Sequence, residues 1–223
     1  MWCIPPKANA AFVCAMEDIL EVYRRPTNPD EPLVCMDEIT KQLTQEIRQA
    51  IPAERGKPAR VDYEYERNGI SNLFMFYEPF GGKRYVSVTD HRTKIDWAFQ
   101  IKEFLDNHYP NAKKIVLVMD NLNTHTGASL YEALPPQEAR RLLERLEIHY
   151  TPKHGSWLNI AEIELRILST QCLNRRIHDK KTLEHKVTQW QNQRNFLKAK
   201  VDWRLSSDDA RIKLKRLYPT LLS

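Results

Sequence analysis

Hydrophobic positions along this chain follow two periods. Between Asn9 and Tyr23 the residues Phe12, Val13, Met16, Ile19, Leu20 and Tyr23 recur every three to four positions, the buried face of an amphipathic helix that ends near Arg25-Pro26. Pro32 to Asp37 then carries Leu33, Val34, Cys35 and Met36 as an unbroken apolar run, a short buried strand expected to stop at the acidic pair Asp37-Glu38. Residues 39–60 are polar and contain Pro52, Gly56 and Pro58, which predicts an exposed excursion. Val61 to Arg67 alternates in strand fashion, Asn68-Gly69 is a hairpin signal, Asn72 to Tyr77 is aromatic-rich, and Gly81-Gly82 turns into Arg84 to Thr89. An antiparallel meander is the expected product.

The period then lengthens. Trp97, Ile101, Phe104, Leu105 and His108 have helical spacing, closed by Pro110. Lys114 to Met119 reads as a central strand that delivers Asp120 to its carboxyl edge, followed by Asn121 and a polar loop to Thr126. Pro136 opens a short helix with Ala139, Leu142, Leu143 and Leu146 on its buried stripe, and Glu147 to Thr151 is strand-like up to Pro152. The loop Lys153-His154-Gly155-Ser156 leads to a helix from about Leu158 to Cys172, with Glu162 near its start. A helix after Asp179 buries Leu183, Val187 and Trp190, and Ser206-x-x-Asp209 opens a basic helix that ends before Pro219. This order of strands and helices predicts an α/β protein with a mixed sheet.

Composition narrows the class. With 223 residues, 42% hydrophobic and 28% charged, the chain is globular, and no apolar run approaches the roughly 18 residues of a membrane helix. Cys3, Cys14, Cys35 and Cys172 form no Cys-x-x-Cys pair, which fits a reduced cytoplasm and excludes a zinc knuckle. Charge is uneven: 20 Lys and Arg stand against 23 Asp and Glu through Glu162, then 14 against 6. An acidic site that draws cations beside a surface that draws polyanions is the expectation. Trp157, Trp190 and Trp203 read as core or interface anchors, and Arg211, Lys213, Lys215 and Arg216 as backbone contacts for DNA.

If the first strand and the strand after the crossover helix lie side by side, Asp37 and Asp120 project from neighbouring edges. Two close carboxylates force a proton onto one of them unless a divalent cation sits between, and a hard ion such as Mg²⁺ or Mn²⁺ suits oxygen ligands. A third acid comes from Glu162 or Glu164, which point about 200° apart on a helix, so only one can face the others. Spacing leaves that choice open.

Three ordered segments carry a resemblance: Val34-Cys35-Met36-Asp37-Glu38, then Val118-Met119-Asp120-Asn121-Leu122-Asn123-Thr124-His125, then Thr151-Pro152-Lys153-His154-Gly155-Ser156-Trp157-Leu158-Asn159-Ile160-Ala161-Glu162. Over about Pro32 to Cys172 the chain resembles an IS630-type transposase of the IS630/Tc1/mariner superfamily. Ile160 stands where that family usually has Pro, and the Asp120-to-Glu162 interval exceeds that of mariner relatives. The resemblance selects Glu162 over Glu164. It implies a ribonuclease H-like fold, a mixed five-stranded sheet flanked by helices, with Asp37, Asp120 and Glu162 as the catalytic, metal-holding triad. Two Mg²⁺ or Mn²⁺ ions are implied, Asp37 bridging them. Glu38, Asn121, Asn123, His125, Lys153, His154, Ser156 and Asn159 are then expected to support the triad or touch DNA.

The implied organisation is a helical segment over 1–30, a DDE catalytic domain over 31–178 and a basic helical extension over 179–223. The expected activity is metal-dependent DNA strand cleavage and strand transfer; a ribonuclease H-like nuclease and an inactive DNA-binding remnant are the alternatives. Expected partners are double-stranded DNA, a second copy of the chain and a separately encoded recognition domain in place of the family's N-terminal helix-turn-helix region. The expected location is the cytoplasm, at the nucleoid.

Overall fold

A computed structural model describes residues 7–48, 51–58 and 63–219; Cys3 and Val61 lie outside the described residues. Helix α1 (Ala10–Arg24) starts where the Asn9 side chain accepts a hydrogen bond from the Phe12 N–H at 3.0 Å. It buries Phe12, Met16, Ile19, Leu20 and Tyr23, and stops as Arg25 turns extended ahead of Pro26.

Strands β1 (Leu33–Glu46), β2 (Tyr65–Glu78) and β3 (Lys83–Thr89) form the antiparallel meander. Strands β4 (Ile115–Met119) and β5 (Leu146–Tyr150) add to β1 in parallel, giving one mixed five-stranded sheet of order β3-β2-β1-β4-β5. The sheet departs from two local expectations. Strand β1 does not stop at Asp37-Glu38 but runs to Glu46, because β2 pairs with it far beyond the acids. What ends near them is the parallel neighbour: the last β1–β4 pair is Cys35 with Val118. Nor is Asn68-Gly69 a hairpin. It lies inside β2, where the register slips between Gln42 and Thr44 and Gly69 takes φ 82°. That is a bulge with glycine in the left-handed region, and the long partner strand overrides the local turn preference.

Helices α2 (Lys94–Glu103), α3 (Gly127–Ala133) and α4 (Pro136–Glu144) cover one face, with α2 continued by a π turn over Phe104–His108. Helix α3 has too few apolar positions to show a period, and the sequence pattern misses it. The opposite face holds α1, α5 (Ile160–Leu168), α6 (Lys180–Phe196) and α7 (Ser207–Lys213). Residues from Phe12 to Leu217 share the core on that side, so α1 and the segment after α7 pack together with the sheet. The Ser206 and Asp209 capping box of α7 forms as its spacing predicts. Strand alternation divides the sheet between the cores: Cys35, Leu73, Met75, Val116 and Val118 face α5, while Val34, Met36, Phe74, Phe76, Leu117 and Met119 face α2.

Candidate active site

Alternation along β1 sets the acids. Cys35 and Ile39 pack on the α5 side and Val34 and Met36 on the α2 side, so Asp37 belongs to the first face and Glu38 to the second. Asp120 follows Met119 directly off the end of β4. Helix α5 brings the third acid, and its start is fixed by one side chain. Asn159 accepts from the Ala161 N–H at 3.1 Å as N-cap while its Nδ2 donates to the Met36 carbonyl at 2.8 Å, next to Asp37. The Tyr23 hydroxyl donates to the Leu158 carbonyl at 2.6 Å and holds the same turn from α1. The helix begins two residues later than the sequence predicts, because Ser156–Leu158 forms a 3₁₀ turn of its own.

Glu162 and Glu164 part company on α5. Glu162 is exposed in its first turn, whereas Glu164 is fully buried against Arg84 and Arg194. Burial first, then the Asp120, Glu38 and Glu162 carboxylates, push Asp37 up to about 7, against the downward pull of the Glu38 N–H that its Oδ1 accepts at 2.8 Å. Neighbouring acids thus disfavour the Asp37 anion.

His125 sits on the far side of that edge, 1% exposed, stacked on Trp97 with centroids 5.8 Å apart. Its Nδ1 is 2.6 Å from Asp120 Oδ1 and its Nε2 is 3.1 Å from Glu38 Oε2. Burial would lower the imidazole, but the Asp120 and Glu38 carboxylates outweigh it and bring it up to about 9. The two carboxylates thus favour the charged imidazole, which lies between Asp120, just past the end of β4, and Glu38 on the α2 side of β1. Its loop is held by the Tyr150 hydroxyl, which donates to the His125 carbonyl at 2.8 Å, and by Ser129 donating to the Thr124 carbonyl at 2.9 Å. Glu38, Asp120 and His125 offer ligand atoms within 4.8 Å of one another.

Of the other expected residues, Asn159 is buried and acts through the backbone, while Asn121, Asn123, Lys153, His154 and Ser156 are exposed around the same edge. His154 takes φ 65°, which points to a constrained turn before α5. Arg92, which the sequence pattern does not single out, reaches to 3.9 Å of Glu38. The donor set is oxygen-rich and hard, and its mutual repulsion at Asp37 is the condition a divalent cation relieves, so these residues fit Mg²⁺ or Mn²⁺.

A mixed sheet with acids at the β1–β4 edge and on the helix over it defines a nuclease-type site on a ribonuclease H-like fold. The DDE superfamily endonuclease family matches residues 32–184, and the chain belongs to that family. Among solved structures it is similar to the catalytic domain of Mos1 mariner transposase, at 12% identity and TM-score 0.58, covering 88% of this chain and 90% of that one. The Mos1 mariner paired end complex with Mn gives 14% identity and TM-score 0.58 over 88% of this chain. The paired end complex with Mg gives 16% and 0.58 over 97% of this chain and 66% of that one. This chain spans about 60% of the transposase in the Mn complex. No curated protein matches in sequence. Among the described residues no helix is long and apolar enough to cross a membrane.

Proposed function

We propose that this chain is the catalytic domain of an insertion-element transposase of the IS630 branch, cleaving DNA strands and joining them to a target. The crowding of acids at Asp37 supports the reading above all. Asp37, Asp120 and Glu162 would hold Mg²⁺ or Mn²⁺, two ions in all. When bound, such ions supply positive charge at the attacking and leaving oxygens of a phosphodiester. The oxygen of water or of a 3′-hydroxyl bonds to phosphorus as the bond to the leaving 3′-oxygen breaks, so no protein nucleophile is needed.

The chain's own residues do the positioning. His125 holds the Asp120 carboxylate from one side, and Asn159 ties the start of α5 to the strand segment that carries Asp37. Lys153, His154, Ser156, Asn121, Asn123 and Arg92 contact the DNA backbone near the cleavage point. Double-stranded DNA is the partner, and two copies of the chain work together because two element ends must be joined.

Nicking of supercoiled plasmid in Mn²⁺ tests the site, with Asp120→Asn beside the parent because the substitution keeps shape and removes the charge. Nicking by the parent alone is the expected result; equal nicking by both sinks the assigned acids. Joining of a pre-cleaved DNA end to plasmid then supports the transposase, whereas nicking without joining leaves a simple nuclease.

A further inference from the structure

Helix α5 spans nine residues and buries Ile160, Ala161, Leu165 and Leu168. In the middle of that apolar stripe sits Glu164, with no exposed surface. A carboxylate taken fully out of water is costly unless it is paired and hydrogen-bonded. Glu164 is paired twice. Arg84 of β3, also without exposed surface, places Nε 2.9 Å from Glu164 Oε1. Arg194 of α6 grips both oxygens, Nε donating to Oε1 at 2.5 Å and NH2 to Oε2 at 3.0 Å.

The cations are themselves fixed. Arg84 donates to the Asn195 side chain at 3.0 Å and to the Ala199 carbonyl at 2.6 Å, and lies over the Tyr77 ring at 4.9 Å. Asn195 also locks the Arg84 backbone, accepting from its N–H and donating to its carbonyl, both at 2.9 Å. Arg194 lies over the Trp190 ring at 5.5 Å.

We propose that the Arg84–Glu164–Arg194 triad sets the rotation of α5 and so aims Glu162 at the other acids, which makes Arg84, Glu164 and Arg194 positioning residues of the site. The inference rests on the reading of Glu162 as a metal ligand. Stability alone does not account for the triad, because well-packed apolar side chains in its place serve a fold equally well or better. Apolar contacts are also non-directional and tolerate a small roll of a short helix, while a forked guanidinium–carboxylate pair does not. A roll of about 20° moves a side-chain tip at a helix surface by roughly 2 Å. A misplacement of about 1 Å can cost about a hundredfold in rate. The triad also extends the catalytic unit: Arg194, Asn195 and Ala199 lie beyond residue 184, where the family match ends.

The test compares Glu164→Gln, Arg194→Met, Arg194→Lys and the apolar triple Arg84→Met/Glu164→Leu/Arg194→Met with Leu142→Ala, a buried-leucine truncation in the opposite core. Each full-length protein is measured for Mn²⁺ affinity by electron paramagnetic resonance and for amide exchange along α5, at temperatures where circular dichroism shows it folded. Expected are a loss of Mn²⁺ affinity of about tenfold or more in Glu164→Gln, Arg194→Met and the triple variant, a partial loss in Arg194→Lys, and faster exchange confined to α5. Leu142→Ala should keep parental affinity despite its lower melting temperature.

Parental affinity and α5 exchange in Arg194→Met, or in the apolar triple, would overturn the proposal. Arg194 is partly exposed, so its variants decide the matter even if Glu164→Gln fails to fold. Unaltered Mn²⁺ binding in Glu162→Gln would overturn the metal-site reading instead; α5 exchange would then still decide whether the triad fixes the helix.

Discussion

One amide at Asn159 joins two catalytic elements, capping α5 with its oxygen and holding the Met36 carbonyl with its nitrogen. Asn159→Ala removes both bonds and leaves a buried carbonyl unpaired, a loss of about 2–3 kcal/mol in thermal or urea unfolding. Asn159→Asp keeps the acceptor for Ala161 but not the donor for Met36. It also sets a buried carboxylate against the Met36 carbonyl, so it should lose at least as much stability as the alanine variant and most plasmid nicking with it; full nicking in Asn159→Asp would show the strand bond to be dispensable. Asp37 gives a second outcome at this scale. Its folded pKa of about 7 lies above its ordinary value of 3.8, so the folded state favours the acid form. Its contribution to stability is full below about 3.8 and is lost as pH rises to about 7. In metal-free buffer the melting-temperature advantage of Asp37→Asn over the parent should grow between those limits and level off above them. A flat difference across that range would mean that neither burial nor the neighbouring acids raise Asp37.

At the scale of elements, two glycines separate local strain from packing. Gly69 takes φ 82° in the β2 bulge with open space where a Cβ would go, whereas Gly82 takes φ 72° and a Cβ there would lie 2.7 Å from the Lys198 backbone. Gly69→Ala should cost about 1–2 kcal/mol, the left-handed penalty alone. Gly82→Ala should cost clearly more, because it also drives the turn before β3 away from the end of α6; equal losses in urea unfolding would refute that difference. The bulge shows where sequence reading fell short. Asn68-Gly69 is a turn signal by local chemistry, but fourteen-residue β1 offers fourteen-residue β2 a ladder on both sides of the bulge, and long-range pairing wins. Capping boxes, by contrast, are closed within four residues, and Ser206 with Asp209 forms as read.

For the whole molecule, the two-sided core decides how metal and fold are coupled. Acids from β1, β4 and α5 meet only when the sheet and the α5 face are assembled, so a cation bound there stabilises the native state by mass action. Mn²⁺ at a hundred times its dissociation constant should add about 2.7 kcal/mol to the parent, read as a rise in melting temperature, and nothing to Asp120→Asn. Equal rises in both would place the bound ion elsewhere.

The sequence by itself determined the order of the elements apart from α3 and the division of β1 and β2, together with the strand-end position of Asp120, the acid pair on β1 and the three motifs that point to Asp37, Asp120 and Glu162. These features rest on periodicity and near neighbours, and both are written in the chain. The tertiary structure alone decided that Glu38 joins Asp120 through a buried His125, that Asn159 ties α5 to β1, and why Glu164 cannot serve in place of Glu162. Arg84, Glu164 and Arg194 come from β3, α5 and α6, and no local period links residues that far apart. Only the packing of those elements made a buried ion triad possible, because burial is what makes each of the three charges require the others.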